Sequence, residues 1–330
     1  MEIQGKHILF FSPKAFGYEI AIKERLESLG ASVVYYDDRP SNGFWGKAIL
    51  RLSKRSMAMV IKRYYIKILK SLDDAKSFDY IFLLNLEAMP VWFLKRIKEK
   101  NKDAQVILYM WDSFRNKVHT SDYIDLCDRS ISFDCEDQKH NSKLEFRPLF
   151  YLNDYTTIAS KIDYKYDISF IATAHSDRIV IANKIKEQVD KWNGLVYNYF
   201  YLQSKKLFYY LRLINPAFKH AHTSDFKYRS LTKDELLTVI AESKAVLDVQ
   251  HPKQTGLTMR SIEMLGAERK LITTNTAIKG YDFYNPNNIC IIERNCPKID
   301  REFIQSPYEP ISKELYHKYS LDGWLEFIFR

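Results

Sequence analysis

The feature that most constrains this chain is an alternation of strand-like and helix-like segments through both halves of the sequence. In the first half, short apolar runs typical of buried strands precede segments whose apolar residues recur at helical spacing. The predicted strands are 6–11, 31–36, 79–85, 105–111 and 129–133, and the predicted helices are 16–29, 47–70, 89–100 and 120–126. Gly30 is predicted to cap the first helix at its C-terminal end. Strands that alternate with helices predict a parallel sheet with helices on both faces.

The second half repeats this pattern. Its predicted strands are 166–172, 196–202, 245–250, 269–274 and 289–293, and its predicted helices are 177–192, 232–243, 258–268 and 312–329. The chain has 330 residues, which at about 100–200 residues per domain suggests two domains. We therefore expect an N-terminal α/β domain over 1–155 and a C-terminal one over 156–311. The C-terminal helices over 312–330 are a candidate to pack back on the first domain.

Composition narrows the class of protein. Hydrophobic residues make up 46% of the chain and aromatic residues 15%, which excludes wholesale disorder. The formal net charge of +9 favours anionic partners such as phosphates or an acidic membrane surface. The four cysteines form no CxxC pattern and indicate a reduced, cytosolic chain. No apolar run approaches the roughly 18–20 residues of a membrane span, so we expect a soluble or peripherally attached protein.

The most informative segment is 251–275, HPKQTGLTMRSIEMLGAERKLITTN, which follows a predicted strand. Gly256 stands just before a predicted helix, where it allows a ligand to approach the backbone closely. Thr258 is a good N-cap, and the helix start offers N–H groups and a positive dipole end. Arg260 lies in the first turn. Together these residues predict a phosphate site.

Glu263 occupies an unexpected position on that helix. It shares a core-facing stripe with Met259, Ile262 and Gly266. A carboxylate on this stripe requires a partner, because burying it unpaired is costly. The hydroxyl pair of a ribose would serve, and so would Arg260, three residues away. The spacing alone leaves a ligand contact and an internal ion pair equally open.

The run G-L-x-x-x-S-I-E-M-L-G-A-x-x-K-L-I-T-T-N resembles the donor-binding segment of GT-B glycosyltransferases of the "group 1" type. Their usual form is E-x-F-G-L-x-x-x-E-A-M-A-C-G-x-P-V-I-A-T. Gly256 and Leu257 match its Gly-Leu. Glu263 matches its second Glu, with two more residues between Leu257 and Glu263 than the family's usual form has. The first Glu falls on Thr255, so the role that this acid has at the sugar does not carry over. The resemblance is closest to bacterial surface-polysaccharide enzymes, including the CgeB-like group.

The resemblance implies a GT-B fold, in which two Rossmann-like domains face each other across a cleft. It implies transfer of a sugar from a nucleotide donor to a glycan or lipid-linked acceptor, and Glu263 would bind the donor ribose. A sugar-nucleotide epimerase with the same fold is the alternative, followed by a non-catalytic membrane or nucleic-acid binding module. The absence of Asp-x-Asp argues for a metal-independent reaction, with no cofactor besides the donor substrate.

Other candidates lie at predicted strand ends. Arg178 starts a helix after the small-residue loop that follows strand 166–172, either near the donor phosphates or in an ordinary turn. Tyr228 would stack on the nucleobase or lie at the surface. Asp112 follows strand 105–111 and is a candidate base or a turn cap; Asp134 and Glu136 are more readily explained as helix caps. The candidate donor-binding residues are Arg178, Tyr228, His251, Gln254, Thr255, Gly256, Thr258, Arg260 and Glu263.

The stretch 47–70 contains eight Lys or Arg residues and no acid, interleaved with apolar residues. Such a stretch is typical of helices that lie on anionic membranes. The alternative is a domain helix with a solvated basic face. The segment 204–222 is similar in composition. No compact nucleic-acid binding motif is present, so we expect no nucleic-acid partner. The expected location is the cytoplasm, with a peripheral position on the inner face of the membrane as an option.

Overall fold

The computed structural model describes residues 2–41, 57–73, 75–114, 118–251 and 255–330. These residues divide into two compact units. The first contains residues up to 148 together with 324–330, and the second contains residues 149–323. Each unit is built on one six-stranded sheet in which all neighbouring strands are parallel. The predicted pair of parallel α/β sheets is therefore confirmed.

The first sheet has the strand order β2-β1-β3-β4-β5-β6. Its strands are β1 (His7–Ser12), β2 (Ser32–Asp37), β3 (Tyr80–Leu84), β4 (Gln105–Met110), β5 (Arg129–Ser132) and β6 (Leu144–Phe146). Its helices are α1 (Tyr18–Ser28), α2 (Ala58–Ser71), α3 (Val91–Lys100) and α4 (Cys135–His140). Continuous apolar runs form β1, β3 and β4 because strands covered by helices on both faces are buried on both sides. Gly30, which follows α1, has φ +89°, as a helix-terminating glycine should.

The second sheet has the order β12-β11-β10-β7-β8-β9. Its strands are β7 (Tyr166–Thr173), β8 (Val196–Tyr201), β9 (Phe226–Lys227), β10 (Ser243–Asp248), β11 (Lys270–Thr273) and β12 (Ile289–Ile291). Its helices include α5 (Asn153–Thr156), α6 (Arg178–Asp190), α7 (Lys205–Ile214), α8 (Lys233–Ala241) and α9 (Met259–Gly266). After β12 come α10 (Arg301–Gln305), α11 (Lys313–Tyr319) and α12 (Leu321–Ile328).

Three predicted helices differ in the structure. Segment 120–126 belongs to a 3₁₀ helix, Val118–Leu126, rather than an α-helix. The helix predicted over 312–329 is interrupted at Ser320, whose backbone is extended with ψ 163°. The structure describes only residues 57–70 of the basic stretch 47–70, and the helix there runs from Ala58 to Ser71. Residues 47–56 lie outside the described residues.

The division between the units lies at 148 rather than at the expected 155, because the next residues bond to the second unit. The Tyr151 N–H donates to the Tyr319 carbonyl, and the Leu321 N–H donates to the Tyr151 carbonyl. The Tyr151 ring also lies directly against Gly266, where a Cβ would come within 2.4 Å of the ring. These contacts keep α5 and α11 in the second unit.

The last residues return to the first unit. Trp324 is fully buried and lies 4.8 Å from Tyr109 and 6.1 Å from Phe82, between ring centroids. Phe329 packs on Phe82 and Tyr80 at 5.4 Å and 5.1 Å. A segment that follows the second unit in sequence thus completes the core of the first.

No helix among the described residues is long and apolar enough to cross a membrane.

Candidate functional site

The carboxyl ends of β7 and β10 form the natural ligand-binding position of the second sheet. β7 and β10 are neighbours in the sheet, and the chain adds β8 and β9 on one side of this pair and β11 and β12 on the other. This is the order 3-2-1-4-5-6, and ligands of such sheets bind at the carboxyl ends of the two central strands, where the strand order reverses. The loop 174–177 follows β7 and leads into α6, while residues 249–251 follow β10. Both segments bring polar side chains to this edge.

Arg178, the first residue of α6, contacts both the end of β7 and the residue that follows β10. Its Nε donates to the Val249 carbonyl at 2.8 Å and its Nη1 to the Thr173 carbonyl at 3.1 Å. Its Nη2 has no hydrogen-bond partner among the described residues. Burial lowers the pKa of the guanidinium, and the nearby Asp248 carboxylate partly offsets this effect. A fixed cation with a spare N–H donor group lies at this edge of the sheet, which suits an anionic ligand.

A second arginine, Arg294, lies after β12 and was missed by sequence reasoning. Its Nη1 contacts both carboxylate oxygens of Asp177 at 2.7 and 2.9 Å, and its Nη2 donates to the Gln250 carbonyl. These contacts tie the loop after β10 to the start of α6. Because Asp177 balances the charge of Arg294, Arg178 is the stronger candidate for an anion contact.

Two histidines adjoin the arginines. The rings of His175 and His251 lie 5.8 Å apart between centroids. Burial, with the positive charges of Arg178 and His251, lowers the pKa of His175 to about 4. His175 is therefore neutral at pH 7, and its Nδ1 lies 3.0 Å from the Ser176 hydroxyl. His251, a predicted donor-binding residue, is exposed.

The start of α9 is organised by Asp248, which sequence reasoning also missed. Its Oδ2 accepts hydrogen bonds from the Thr258 hydroxyl at 2.5 Å and the Ser261 hydroxyl at 2.8 Å. The Thr258 Oγ1 in turn accepts from the Ser261 N–H at 3.2 Å, so the predicted N-cap is confirmed. Asp248 is the one acid in the strand segment 245–250, which is the signal that could have identified it.

Glu263 is buried and forms an ion pair with Arg260, in which Nη1 lies 3.1 Å from Oε2. The Tyr155 hydroxyl, on α5, is its second partner, and burial followed by the Glu263 charge raises the pKa of that tyrosine. The structure therefore contains the internal ion pair that the spacing left open. Nothing in the sequence near Glu263 indicates Tyr155, because the two are far apart in the chain.

The remaining donor-side candidates are distributed over the sheet edge. The Asn275 amide, after β11, donates to the carbonyls of Thr255 and Gly256 at 3.1 and 3.3 Å. Gln254 lies outside the described residues. The Tyr228 hydroxyl donates to the Thr223 carbonyl at 3.2 Å, beyond β9 and at the far side of the sheet from β10. Thus Arg178 and His251 come together at the β7–β10 edge, whereas Tyr228 lies apart from them.

In the first unit, Asp112 follows β4 and meets Asn85, which follows β3. The Asn85 Nδ2 is 3.5 Å from the Asp112 Oδ2. Asn85 is buried and has φ +50°, and its N–H donates to the Tyr109 carbonyl at 2.8 Å. The predicted base therefore lies at the carboxyl edge of its sheet, beside an amide.

Hydrogen bonds to Asp38, just after β2, stabilise the same edge of the sheet. Its carboxylate accepts from the N–H groups of Glu87, Ala88 and Met89 at 2.5, 2.7 and 2.9 Å, and from the Tyr65 hydroxyl at 2.8 Å. Asp38 thus holds the loop that continues from Asn85.

Asp134, a second acid considered in this unit, caps α4 by accepting from the Glu136 N–H at 3.1 Å. This is the preferred capping role.

Among the residues that the structure describes, no three His, Cys, Asp or Glu side chains are grouped so that they could hold a metal ion. His220 and His222, two positions apart in the sequence, are both exposed.

No protein-family model matches the chain, and no curated protein sequence is significantly similar to it. Solved structures are similar in fold. An alpha-glucosyltransferase in complex with UDP and a mismatched DNA is 12% identical, with 99% of this chain and 100% of that chain covered and a TM-score of 0.62. HepE of Anabaena, in complex with UDP and glucose, is 10% identical, with 98% of each chain covered and a TM-score of 0.59. The UDP-GlcNAc 2-epimerase of Methanocaldococcus jannaschii is 12% identical over 98% of this chain and 99% of that chain, with a TM-score of 0.53. With two parallel α/β units and these similarities over nearly its whole length, the chain has the GT-B fold.

Proposed function

We propose that this protein is a glycosyltransferase that moves a sugar from a nucleotide-activated donor to a glycan or lipid-linked acceptor in bacterial surface-polysaccharide synthesis. The observation that carries the proposal is Arg178, fixed at the β7–β10 edge with one guanidinium nitrogen unused among the described residues. Two structures of similar fold contain UDP. A nucleoside diphosphate is the anionic ligand that we assign to this edge.

In the proposed reaction, the bond between the sugar C1 and the diphosphate oxygen breaks, a bond forms between C1 and the acceptor hydroxyl oxygen, and negative charge develops on the leaving diphosphate. Arg178 would stabilise that charge, and the N–H groups at the start of α9 would add to the effect. Both groups are held in place before the reaction, Arg178 by two carbonyls and α9 by the Asp248–Thr258 contact. Their stabilisation therefore costs little reorganisation.

The stereochemistry decides the role of Asp112. If the configuration at C1 is inverted, a base must remove the proton of the acceptor hydroxyl, and Asp112 is our candidate. If the configuration is retained, the leaving phosphate can accept that proton. Asp112→Asn separates the two cases, because it should abolish inverting transfer and leave retaining transfer nearly unchanged.

The decisive experiment is a thermal-shift screen of nucleotides and sugar nucleotides, followed by a transfer assay with the compound that binds. A ligand that binds only the folded state stabilises it by mass action, by roughly 2.7 kcal/mol at 100 times its dissociation constant. We expect nucleoside diphosphates and their sugars to raise the unfolding temperature, and the parent nucleosides to have little effect. If no nucleotide does so, the proposed donor site is wrong.

A sugar-nucleotide 2-epimerase is the second candidate, favoured by the fold similarity to the Methanocaldococcus jannaschii epimerase. The two activities give different products. An epimerase converts the sugar nucleotide without any acceptor, whereas a transferase releases the nucleoside diphosphate. Incubation with the sugar nucleotide alone, followed by separation of the epimers, distinguishes them.

We expect transfer to be independent of divalent metal ions. Arg178 and the α9 N-terminus supply positive charge at the diphosphate, so a cation is not needed to stabilise the leaving group. The transfer rate should be the same in EDTA as in Mg²⁺ or Mn²⁺. Activity that EDTA abolishes and either metal restores would contradict this expectation.

We further propose that the basic stretch 47–70 binds an anionic membrane surface, which would place the protein in the cytoplasm, peripherally on the inner face of the membrane. Each basic residue near such a surface contributes about 1 kcal/mol. Changing Lys54, Arg55, Lys62 and Arg63 to Gln should therefore weaken binding to anionic vesicles in a co-sedimentation assay without lowering the unfolding temperature. Equal binding by this variant and the unchanged protein would leave the stretch as a solvated basic face.

A further inference from the structure

Helix α7, in the second unit, presents an apolar outer face to solvent. Its inner side is anchored by Phe208, which is buried and packs against Phe226 with ring centroids 5.3 Å apart. On the outer side, Tyr209 and Tyr210 are 58% and 57% exposed, Leu213 is 85% exposed and Ile214 is 58% exposed. Side chains of this size gain free energy when they leave water, so four exposed on adjacent turns of one helix indicate an interaction surface.

The charges around this face are of one sign. Lys205, Lys206 and Arg212 are exposed on the same helix, and Lys219 is exposed just after it. No ion pair joins any of these four to another described residue. Residues 191–224, which include α7, contain no Asp or Glu. The charge of this face therefore favours an anionic partner.

The geometry combines the apolar and basic groups on one side of the helix. Lys206, Tyr209, Tyr210 and Leu213 follow the spacing i, i+3, i+4, i+7, which aligns them along a single stripe. A helix whose apolar stripe is bordered by basic residues can insert its aromatic and aliphatic side chains at the level of lipid headgroups while its cations contact phosphates. Tyrosine suits this depth because its ring is apolar and its hydroxyl remains hydrated.

We propose that the outer face of α7 is a docking surface for an anionic lipid bilayer. It lies in a different unit from the stretch 47–70, and it acts independently of the proposed transferase activity. Basic side chains attract the protein to the surface, and Leu213 and Ile214 enter the interface. The attachment should therefore combine a salt-sensitive part with a salt-resistant apolar part.

The test is co-sedimentation of the full chain, without any sugar nucleotide, with vesicles of phosphatidylcholine containing phosphatidylglycerol. The double variant Leu213→Ser, Ile214→Ser should bind about tenfold more weakly, since both side chains lose part of their transfer free energy. Lys205→Gln, Lys206→Gln, Arg212→Gln should weaken binding at low salt only. Leu195→Ser is the matched control, because Leu195 is 59% exposed elsewhere in the same unit.

Circular dichroism checks that each variant is folded. If the variant Leu213→Ser, Ile214→Ser unfolds, the variant Tyr209→Ser, Tyr210→Ser is tested in its place. Unchanged vesicle binding by the folded apolar variants would overturn the proposal. It would also be overturned if the unchanged protein were a dimer in solution that the Leu213 and Ile214 changes dissociate, with vesicle binding unaffected. In that case the face would pair with a second copy of the chain.

Discussion

Arg178→Gln is expected to weaken UDP binding by about 1.5–3 kcal/mol, the range for hydrogen bonds to a charged group. This corresponds to an increase in the dissociation constant of roughly ten- to a hundredfold. The physical reason is that Arg178 is held by the Val249 and Thr173 carbonyls and reaches the edge without reorganisation. Isothermal titration calorimetry with UDP measures the change.

Arg229→Gln serves as the control for that experiment. Arg229 is in the same unit but is largely exposed and pairs with Glu235 beyond β9. It has the same charge, so its loss changes the net charge equally. If both variants bind UDP with equal affinity, general attraction by the basic chain explains the binding and Arg178 has no specific role. The unfolding temperature without UDP shows whether the loss of the two carbonyl contacts has loosened the fold.

Asp38→Ala should lower the free energy of unfolding by about 3 kcal/mol or more, because three backbone N–H groups lose their acceptor at a cost of roughly 1–3 kcal/mol each. This is a large share of the roughly 5–15 kcal/mol that stabilises a typical domain. Asp38→Asn, which keeps the shape and one acceptor oxygen, should cost less. Urea unfolding measures both.

The control for Asp38 is Asp128→Ala. The Asp128 carboxylate also accepts a backbone N–H, that of Val106 at 2.7 Å, but it is partly exposed and has a single such donor. A loss below about 1 kcal/mol for Asp38→Ala would contradict the prediction, since it would mean that water satisfies the three N–H groups of the loop after β3.

Periodicity and short-range signals were sufficient for the sheets. The apolar runs at β1, β3 and β4 are continuous because helices cover both faces of a parallel sheet, and that requirement is visible in a single sequence. A capping box is likewise readable from the sequence at the start of α8, where the Thr232 Oγ1 accepts from the Glu235 N–H and the Glu235 Oε2 accepts from the Thr232 N–H. The apolar runs and the capping box can both be recognised from residues that are close together in the sequence.

The contacts that build the site are not local, and this is why sequence reasoning missed them. Arg294 and Asp177 are 117 positions apart, and Tyr155 reaches Glu263 from a short helix that carries no periodic signal. Helix α7 was noted for its composition, but a composition does not say which side faces the core. The interruption at Ser320 was missed because apolar and charged residues on both sides continue a helical pattern.

The return of residues 324–330 to the first unit has a consequence for biogenesis. During synthesis the first sheet emerges from the ribosome long before Trp324 and Phe329, whose rings fill the space against Phe82. Until then that space is open, and apolar side chains there remain available for wrong partners. The second unit differs because its residues are contiguous from 149 to 323, so no other unit is translated between its first and last residues. The core of the first unit therefore cannot be completed until the whole second unit has been translated.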